Sequence, residues 1–379
     1  MSQSEQLTAA SELSLPRALA RKPGDVRFGL FLPNQHHAHY ITAAEGQTEA
    51  DYESVRRVSV LSEEIGLSFL LPVARWKGLK GEQADFCPFG LETITLTGAL
   101  LEATSRIVVF TTMHTELFNP AVAAKMGATL DNIGAGRWGL NVVAGWSKAD
   151  FESMGFELRS YEDRYEHARE WLAAVRDLWV NGVSSYSCKY FTLDEAECKF
   201  QPIQEGGPVV VNAGQSPTGM KFAIDNADYL FSADATADQF RVVNEELGGG
   251  GVGYIGRKHI VVRPTRAEAE ATANAIVEGG DPKAIAQLIA HGKGPVAEAE
   301  EALAKDPDKM RNFLLQKPIL GDPGEVASQL AEWITEASVD GVCLSLFDQE
   351  EMLELFGDQV FEKLGNELDQ RGKTLKLEL

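Results

Sequence analysis

Short apolar runs alternate with longer segments of helical period along this 379-residue chain, and no other sequence feature limits its fold as much. The eight runs lie at 26–33, 67–74, 106–113, 137–145, 208–214, 228–235, 259–265 and 341–348. The segments between them resemble residues 119–134, where Asn119 is predicted as an N-cap and Pro120 as the first helical residue. Eight strand–helix units joined by right-handed crossovers predict an α/β fold, a (β/α)8 TIM barrel. A doubly wound open sheet is the alternative.

Two long segments exceed what a minimal barrel needs. Residues 146–207 follow the fourth predicted strand, and residues 266–322 separate the seventh from the eighth. We interpret both as insertions, because long connections at the carboxyl ends of barrel strands usually build or cover an active site. The predicted organisation is a single barrel domain over 26–379, preceded by a mobile N-terminal arm over 1–25, with a dimer strap as the alternative for this segment.

A run of glycines, residues 248–254, lies between the sixth and seventh predicted strands. A dinucleotide-binding fingerprint would need a strand before the glycines and a helix after them, and neither pattern is present. We therefore interpret the run as a flexible loop.

Composition argues against several classes of function. The chain has 35 basic and 56 acidic residues, a net charge of −21, which disfavours binding to nucleic acid or to an anionic membrane surface. Its apolar runs are shorter than the roughly 20 residues that span a bilayer. The first residues lack the continuous apolar segment of a secretory signal. The four cysteines form no CxxC pair, so we expect reduced thiols and a cytoplasmic protein.

Polar residues follow or end most of the first five predicted strands. They are Asn34, Gln35, Arg75, Thr111, Thr112, His114, Asn141, Gln215 and Ser216. Because the carboxyl ends of barrel strands meet at one mouth, this ring predicts a ligand with many hydrogen-bonding edges. Asn141 is the most unusual member, since it interrupts an apolar run. The alternative for this residue is that its amide satisfies a neighbouring backbone group.

The stretch NAGQSPTG at 212–219 predicts an anion pocket. A strand ends at a glycine there, Ser216 is placed as an N-cap and Pro217 as the first helical residue. Free backbone N–H groups at such a helix start bind anions, and phosphate is a frequent ligand at this stage of a barrel. Arg164, next to Tyr165, supplies a guanidinium that can pair with phosphate. A solvated helix face is the alternative for Arg164.

Six segments carry a family resemblance by their order and spacing, and together they span most of the chain. They read ARWKGLKG, LETITLTGALLEATSRI, NPAVAAKMGATLDNIGAGRWGLNVVAGW, DFESMGFEL, DRYEHAREWLAAVRDLW and NAGQSPTGMKFA. This pattern resembles the bacterial luciferase-like flavin monooxygenases. Within them it is most similar to the pyrimidine monooxygenase branch, which is related to dimethylsulfone and dibenzothiophene sulfone monooxygenases. The resemblance implies a barrel that binds reduced FMN at its carboxyl-terminal mouth and uses O2.

The resemblance also implies roles for particular residues. Carried over by position, the flavin contacts are Ala74, Arg75, Asn141, Asp150, Arg164, Tyr165 and Ser216. Asp150 stands where the pyrimidine enzyme has glutamate, and Arg75 where it has lysine. Thr112 and Asn141 match the pair that borders the flavin edge at which oxygen reacts, so both are predicted catalytic residues. A buried hydroxyl and carboxamide can orient an oxygen species and exclude water.

Histidines distinguish this chain from the pyrimidine pattern. His114 stands where the pyrimidine enzyme has a small residue, and we predict a third catalytic residue there, acting by substrate contact or acid–base assistance. This filled position argues that the substrate is not simply uracil. A metal site at His36, His37 and His39 is an alternative, but no carboxylate or thiolate pattern accompanies them, so no metal is expected.

The predicted function is a two-component monooxygenase that uses FMNH2 and O2 to oxidise or cleave a small ring, an N-heterocycle or cyclic amide. The alternatives are a flavin-degrading lyase acting on a riboflavin-like substrate and a non-catalytic flavin-binding protein, with a deazaflavin hydride-transfer enzyme as an outlier. The sequence shows no NAD fingerprint, so a separate NAD(P)H:flavin reductase is the expected partner. The resemblance further implies a homodimer or a higher homo-oligomer.

Overall fold

Eight parallel strands form a closed ring in which each strand pairs with the next and the eighth pairs with the first. The computed structural model describes residues 15, 17–37, 39–233, 235–290 and 295–379. The barrel strands are β1 Asp25–Phe31, β2 Phe69–Leu71, β3 Val108–His114, β4 Trp138–Val143, β5 Val209–Asn212, β6 Tyr229–Ser232, β7 Gly253–Val262 and β8 Gly341–Leu346. The predicted (β/α)8 TIM barrel is therefore confirmed, and the open-sheet alternative is wrong.

Helices surround the strands. They are α1 Tyr52–Glu64, α2 Thr93–Ala103, α3 Pro120–Ile133, α4 Lys148–Ser153, α5 Tyr161–Asn181, α6 Pro217–Asn226, α7 Ala237–Arg241, α8 Arg266–Glu278, α9 Pro282–Ile289, α10 Val296–Lys305, α11 Pro307–Leu315, α12 Pro323–Glu336, α13 Gln349–Leu355 and α14 Phe361–Asp369. The predicted start of α3 is confirmed, because the Asn119 side chain accepts a hydrogen bond from the backbone N–H of Ala121. No helix in the described ranges is long and apolar enough to cross a membrane.

Both predicted insertions are confirmed. The connection after β4 contains α4, α5 and a small hairpin of Val183–Ser184 with Ala196–Glu197. The connection between β7 and β8 contains α8 to α11 and a short strand, Ile319–Gly321, that pairs with β7. A second hairpin, Leu79–Lys80 with Asp85–Phe86, follows β2. One more short strand, Thr374–Lys376, pairs in parallel with the first three residues of β1.

The seventh strand is longer than predicted. The sequence indicated a strand over 259–265, whereas β7 begins at Gly253. The glycine run predicted as a loop therefore contributes its last two residues, Gly253 and Tyr254, to the sheet. A Cβ atom on Gly253 would lie 2.4 Å from the Tyr229 ring, so only glycine lets β7 pass this close to β6.

The barrel interior is filled by its own cluster of side chains. Its buried members are Leu19, Phe69, Leu71, Val108, Phe110, Val209, Val211, Tyr229, Phe231, Ile255 and Cys343. Alternate residues of a strand point to the same side, so Thr112 and His114 share the inner side of β3 with Val108 and Phe110. The interior is therefore packed below the carboxyl ends of the strands, where polar residues begin.

Residues 17–24 cross the amino-terminal end of the barrel. Arg17 forms a salt bridge with Asp228 at 2.6 Å. Leu19 is 8% exposed and packs into the interior cluster, while its carbonyl accepts a hydrogen bond from the Tyr229 hydroxyl at 2.5 Å. Of the arm predicted to be mobile over 1–25, residues 1–14 and 16 lie outside the described residues. Its remaining part is held against the barrel by these contacts.

Candidate active site

A cavity of about 800 Å³ opens at the carboxyl ends of the barrel strands. This volume lies in the range of cofactor and ligand pockets. The cavity brings together the predicted catalytic residues Thr112, His114 and Asn141. It is also lined by six of the seven predicted flavin contacts, namely Ala74, Arg75, Asn141, Arg164, Tyr165 and Ser216.

Thr112 and Asn141 form a hydrogen-bonded pair on neighbouring strands. They are register partners of β3 and β4, and Asn141 Nδ2 donates to Thr112 Oγ1 at 3.0 Å. Thr112 Oγ1 in turn donates to the carbonyl of Pro72 at 2.7 Å. Asn141 is only 6% exposed, and its Oδ1 has no hydrogen-bond partner among the described residues. A buried acceptor without a partner costs about 1–3 kcal/mol, so this oxygen is ready to accept an N–H group from a ligand.

The loop after β5 and the start of α6 form an anion cradle. The Asn212 side chain accepts the Gly214 N–H at 2.9 Å, and Ser216 caps α6 by accepting the Gly219 N–H at 3.1 Å. A Cβ atom on Gly219 would lie 2.5 Å from the Tyr165 hydroxyl and 2.8 Å from Gly214 Cα. Glycine is therefore required for the loop, the helix start and Tyr165 to meet. The predicted N-cap is confirmed, and helix starts of this kind attract phosphate.

Arg164 reaches the same cavity from α5. Its guanidinium lies 5.5 Å from the centroid of the Tyr161 ring, and its buried Nε has no hydrogen-bond partner among the described residues. The next residue, Tyr165, packs on Phe222 of α6 with ring centroids 5.7 Å apart. A guanidinium directed into the cavity beside a helix start supplies the charge-assisted hydrogen bonds that a phosphate needs. The solvated-face alternative for Arg164 is not supported.

Asp150 lies behind the cavity wall. Its carboxylate accepts hydrogen bonds from the Trp76 backbone N–H at 3.2 Å and from the Ser147 hydroxyl at 2.8 Å. Arg75 Nη2 is 4.0 Å from the same carboxylate, and the Arg75 guanidinium packs over the Trp146 ring at 5.2 Å. The structure therefore places Asp150 as a support for Arg75 and Trp76, whereas the resemblance implied a direct flavin contact.

His114 is buried at the end of β3, with 3% exposure. Its Nδ1 accepts a hydrogen bond from the Trp76 indole N–H at 3.4 Å, and its ring packs edge-on to Phe151. Burial lowers the pKa of His114 to about 4, with a smaller opposing effect from the Asp150 charge. The imidazole is therefore neutral near pH 7, and its proton is assigned to Nε2 because Nδ1 accepts. Such a ring suits hydrogen-bond donation better than proton transfer to a substrate.

Two other residues of the predicted polar ring have structural partners. Asn34 is fully buried and exchanges hydrogen bonds of 2.8 Å with both backbone groups of Val73. Thr111 faces away from the cavity, where its hydroxyl accepts the Trp138 indole N–H at 2.9 Å. Both residues hold the barrel together and contribute nothing to the cavity lining.

The histidines after β1 do not converge. His36 and His37 stack at 3.9 Å, whereas His39 Nε2 lies 2.7 Å from the Leu32 carbonyl oxygen. Burial lowers the pKa of both His37 and His39 to about 4. Within the described ranges, no group of three His, Cys, Asp or Glu side chains is arranged to hold a metal ion.

The sequence predictions missed Arg257, which lines the cavity from β7. The predicted seventh strand began two residues after Arg257, so this residue was assigned to no strand end. The early start of β7 in the glycine run is what brings Arg257 into the barrel wall. A search for polar residues on the predicted strands would have found Arg257 only if the start of β7 had been predicted correctly.

This closed barrel, with a polar pair and an anion cradle at one mouth, agrees with the match of its sequence to a family model. Residues 26–341 match the model for luciferase-like monooxygenases. The chain therefore belongs to this family, and it is an enzyme of the flavin-dependent monooxygenase class. The predicted family resemblance is confirmed.

The chain is similar to individual members of this family in sequence and to solved flavin enzymes in structure. The pyrimidine monooxygenase RutA of Bradyrhizobium sp. strain BTAi1 is 30% identical over 348 residues, which covers 88% of this chain and 95% of the relative. The structure of riboflavin lyase RcaE, with modified FMN and riboflavin, superposes with a TM-score of 0.80 at 21% identity, covering 94% of both chains. The EDTA monooxygenase EmoA from Chelativorans sp. BNC1 gives a TM-score of 0.74 at 20% identity, covering 93% of this chain and 95% of EmoA.

Proposed function

We propose that this protein is the oxygenase of a two-component system, which uses FMNH2 and O2 to oxidise or cleave a small ring, an N-heterocycle or cyclic amide. A separate NAD(P)H:flavin reductase supplies the FMNH2. The observation that carries the proposal is the unpartnered Asn141 Oδ1, which shares one cavity with an anion cradle. One ligand with a ring N–H and a phosphate satisfies both features, and reduced FMN has this chemistry. The pyrimidine monooxygenase relatives support the substrate class.

The residues present fit FMN. The start of α6 at Ser216, together with Arg164 and Tyr165, would hold the phosphate, while Ala74, Arg75 and Asn141 would hold the ring. Asp150 would act through Arg75, to which it is adjacent. Bound reduced flavin supplies the two electrons that activate O2.

The chain's own residues shape the oxygen site. Thr112 and Asn141 are 7% and 6% exposed, so their polar groups act in a site with little water, where hydrogen bonds are stronger. Asn141 orients the ring edge, and Thr112 fixes the Asn141 amide through the hydrogen bond between them. His114 is a neutral donor at the same mouth and can hold a substrate oxygen through Nε2–H. The homodimer or higher homo-oligomer implied by the resemblance and the cytoplasmic location predicted from the sequence are part of this proposal.

Riboflavin cleavage is the second candidate, and the size of the site favours it. The cavity of about 800 Å³ lies in the upper part of the range of roughly 300–1,000 Å³ for ligand pockets, and Trp146 and Arg164 also line a second pocket of about 510 Å³. The space therefore allows a second flavin-like ring system beside FMN.

The test is an anaerobic titration with chemically reduced FMN, followed by mixing with oxygenated buffer in the presence of uracil, riboflavin or no substrate. We expect saturable binding of reduced FMN, and loss of one of the two rings that depends on both oxygen and protein. Saturable FMN binding with unchanged uracil and riboflavin and no oxygen consumption above that of free FMNH2 would favour the non-catalytic binding alternative. Turnover that proceeds without oxygen would favour hydride transfer.

A further inference from the structure

β7 carries a positive charge into the cavity on the side away from the predicted oxygen site. Arg257 lines the cavity, and β7 lies four strands from β3 around the barrel, so Arg257 stands across the mouth from Thr112. Its guanidinium lies 5.4 Å from the centroid of the Phe31 ring. Phe31 stacks on Phe231 with centroids 6.1 Å apart and planes inclined by 23°. A cation beside two nearly parallel rings forms one face of the cavity.

The insertion between β7 and β8 contributes a residue that orients this cation. Arg257 Nη2 donates to Gln316 Oε1 at 2.7 Å. Gln316 ends α11 with φ 49°, and Lys317 follows with φ 52°. Two consecutive non-glycine residues in the left-handed region are strained, and such strain concentrates at functional sites. The strained turn is what brings the Gln316 amide to Arg257.

Buried polar groups without partners lie close to the same face. His259, two residues beyond Arg257 on β7, is 2% exposed, and neither ring nitrogen has a hydrogen-bond partner among the described residues. The same holds for Ser345 Oγ, which is the register partner of His259 on β8, and for Gln349 Oε1 at the start of α13. Buried polar atoms are nearly always hydrogen-bonded, so these groups call for water or ligand atoms.

We propose that Arg257, Phe31 and Phe231, which line the cavity, form the substrate subsite, supported by Gln316, His259 and Ser345, which lie outside the cavity lining. The six residues are here called the β7–β8 wall. Arg257, oriented by Gln316, binds a carbonyl oxygen of a planar ring that packs along Phe31 and Phe231. This inference rests on the proposed function, because it takes the ring that binds beside reduced FMN as the substrate; Arg257 would hold the end of that ring that lies away from Thr112 and His114. It names the substrate class as a planar ring bearing carbonyl oxygens, and Gln316 as a positioning residue.

The test measures binding of uracil and of riboflavin to the FMN-loaded protein by calorimetry. Arg257→Met removes a charge-assisted hydrogen bond, so we expect the bound ring to dissociate about 10- to 100-fold more readily. The matched control is Lys258→Met, since Lys258 is the next residue on the strand and packs outside the barrel over Trp333 at 5.3 Å. This control makes the same charge change and should leave ring binding within about twofold of wild type.

A second variant separates positioning from a structural role. Gln316→Gly removes the side chain that orients Arg257 but relieves the backbone strain, because glycine adopts positive φ readily. We expect weaker ring binding together with an unchanged or higher thermal midpoint. A side chain with only a structural role would lower the midpoint and leave ring binding intact.

The outcomes distinguish this proposal from the proposed function. If the wild-type protein binds FMN and consumes oxygen but binds neither ring, or if Arg257→Met binds the ring as tightly as wild type, the subsite proposal is overturned and the proposed function stands. If FMN itself fails to bind, the proposed function is overturned, and this inference with it.

Discussion

Asn34 and Asn141 show, at the scale of single residues, how hydrogen-bond partners separate a structural amide from one available to a ligand. Both asparagines lie at or near the carboxyl end of an apolar strand, so the sequence alone places them in the same class. Asn34 uses its oxygen and its amino group on the backbone of Val73. Asn141 uses its amino group on Thr112 and leaves its oxygen unpaired in the cavity. The second arrangement costs about 1–3 kcal/mol until a ligand supplies the missing donor.

Asn141→Ala should therefore uncouple oxygen consumption from product formation while keeping the fold. The substitution removes one hydrogen bond to Thr112, which costs about 1 kcal/mol of stability. Without the amide, oxygen is consumed and released as hydrogen peroxide. The measurement is the yield of product and of peroxide per O2 consumed, with Asn132→Ala on the outer helix α3 as the matched control. Wild-type coupling in Asn141→Ala would contradict the assigned role.

His114 makes stability depend on pH with a defined sign. Its pKa is lowered from 6.5 to about 4 in the folded protein, mainly by burial. Between these values the unfolded chain binds more protons, so stability rises with pH across this window and is lost as pH falls through it. His37 and His39 act in the same direction, since their pKa values are also lowered to about 4.

His114→Gln should consequently lose less stability than wild type between about pH 7 and about pH 5. The check is the free energy of unfolding in urea at both pH values. Equal losses in the two proteins would show that His114 is not held neutral by burial.

Among the elements, helix α6 is the one whose start at the cavity was predicted from the sequence. Ser216 as N-cap and Pro217 as the first helical residue are local signals that fix a helix start. The start of strand β7 was predicted wrongly, because its first residue is Gly253, which is needed for close packing against the Tyr229 ring and has low strand propensity. Local signals thus predicted the anion cradle. The β7–β8 wall depends on contacts between distant segments, such as Arg257 with Gln316, that no local pattern encodes.

The anion cradle predicts selective recognition of the flavin phosphate. Arg164→Met should weaken binding of FMN by about 10- to 100-fold, since a charge-assisted hydrogen bond is lost, and should change riboflavin binding much less. The matched control on the same helix is Arg169→Met, because Arg169 is exposed and pairs with Glu170. Fluorescence titration with both flavins measures the two affinities. An equal loss for both ligands would exclude phosphate recognition by Arg164.

Across the whole molecule, the barrel has two ends with different tasks. The carboxyl-terminal (upper) end holds the cavity. The amino-terminal (lower) end is crossed by residues 17–24, with Leu19 packed into the interior cluster. The eight-strand alternation in the sequence predicted this barrel, because periodicity reports burial. The packing of residues 17–24 was not predicted, because this segment, which contains Pro23, has no periodic pattern and its order comes from contacts with Asp228 and Tyr229.

Leu19→Ala should destabilise the protein without affecting the flavin site. A buried leucine truncated to alanine costs about 2–5 kcal/mol. We expect a lower urea midpoint and an unchanged FMN affinity, because Leu19 lies at the opposite end of the barrel from the cavity. Leu379→Ala is the matched control, since Leu379 is 80% exposed. A parallel loss of FMN affinity in Leu19→Ala would show that the two ends are coupled.

The packed lower end also determines how ligands move. Side chains from Leu19 upward fill the barrel below the cavity, so among the described residues no passage opens at that end, and flavin and substrate both enter from the carboxyl-terminal mouth. A flavin that is replaced at each turnover must leave by the route through which the substrate arrives. We therefore expect a compulsory order in which the flavin binds first and leaves last. Excess substrate should then prolong the time for which the flavin stays bound.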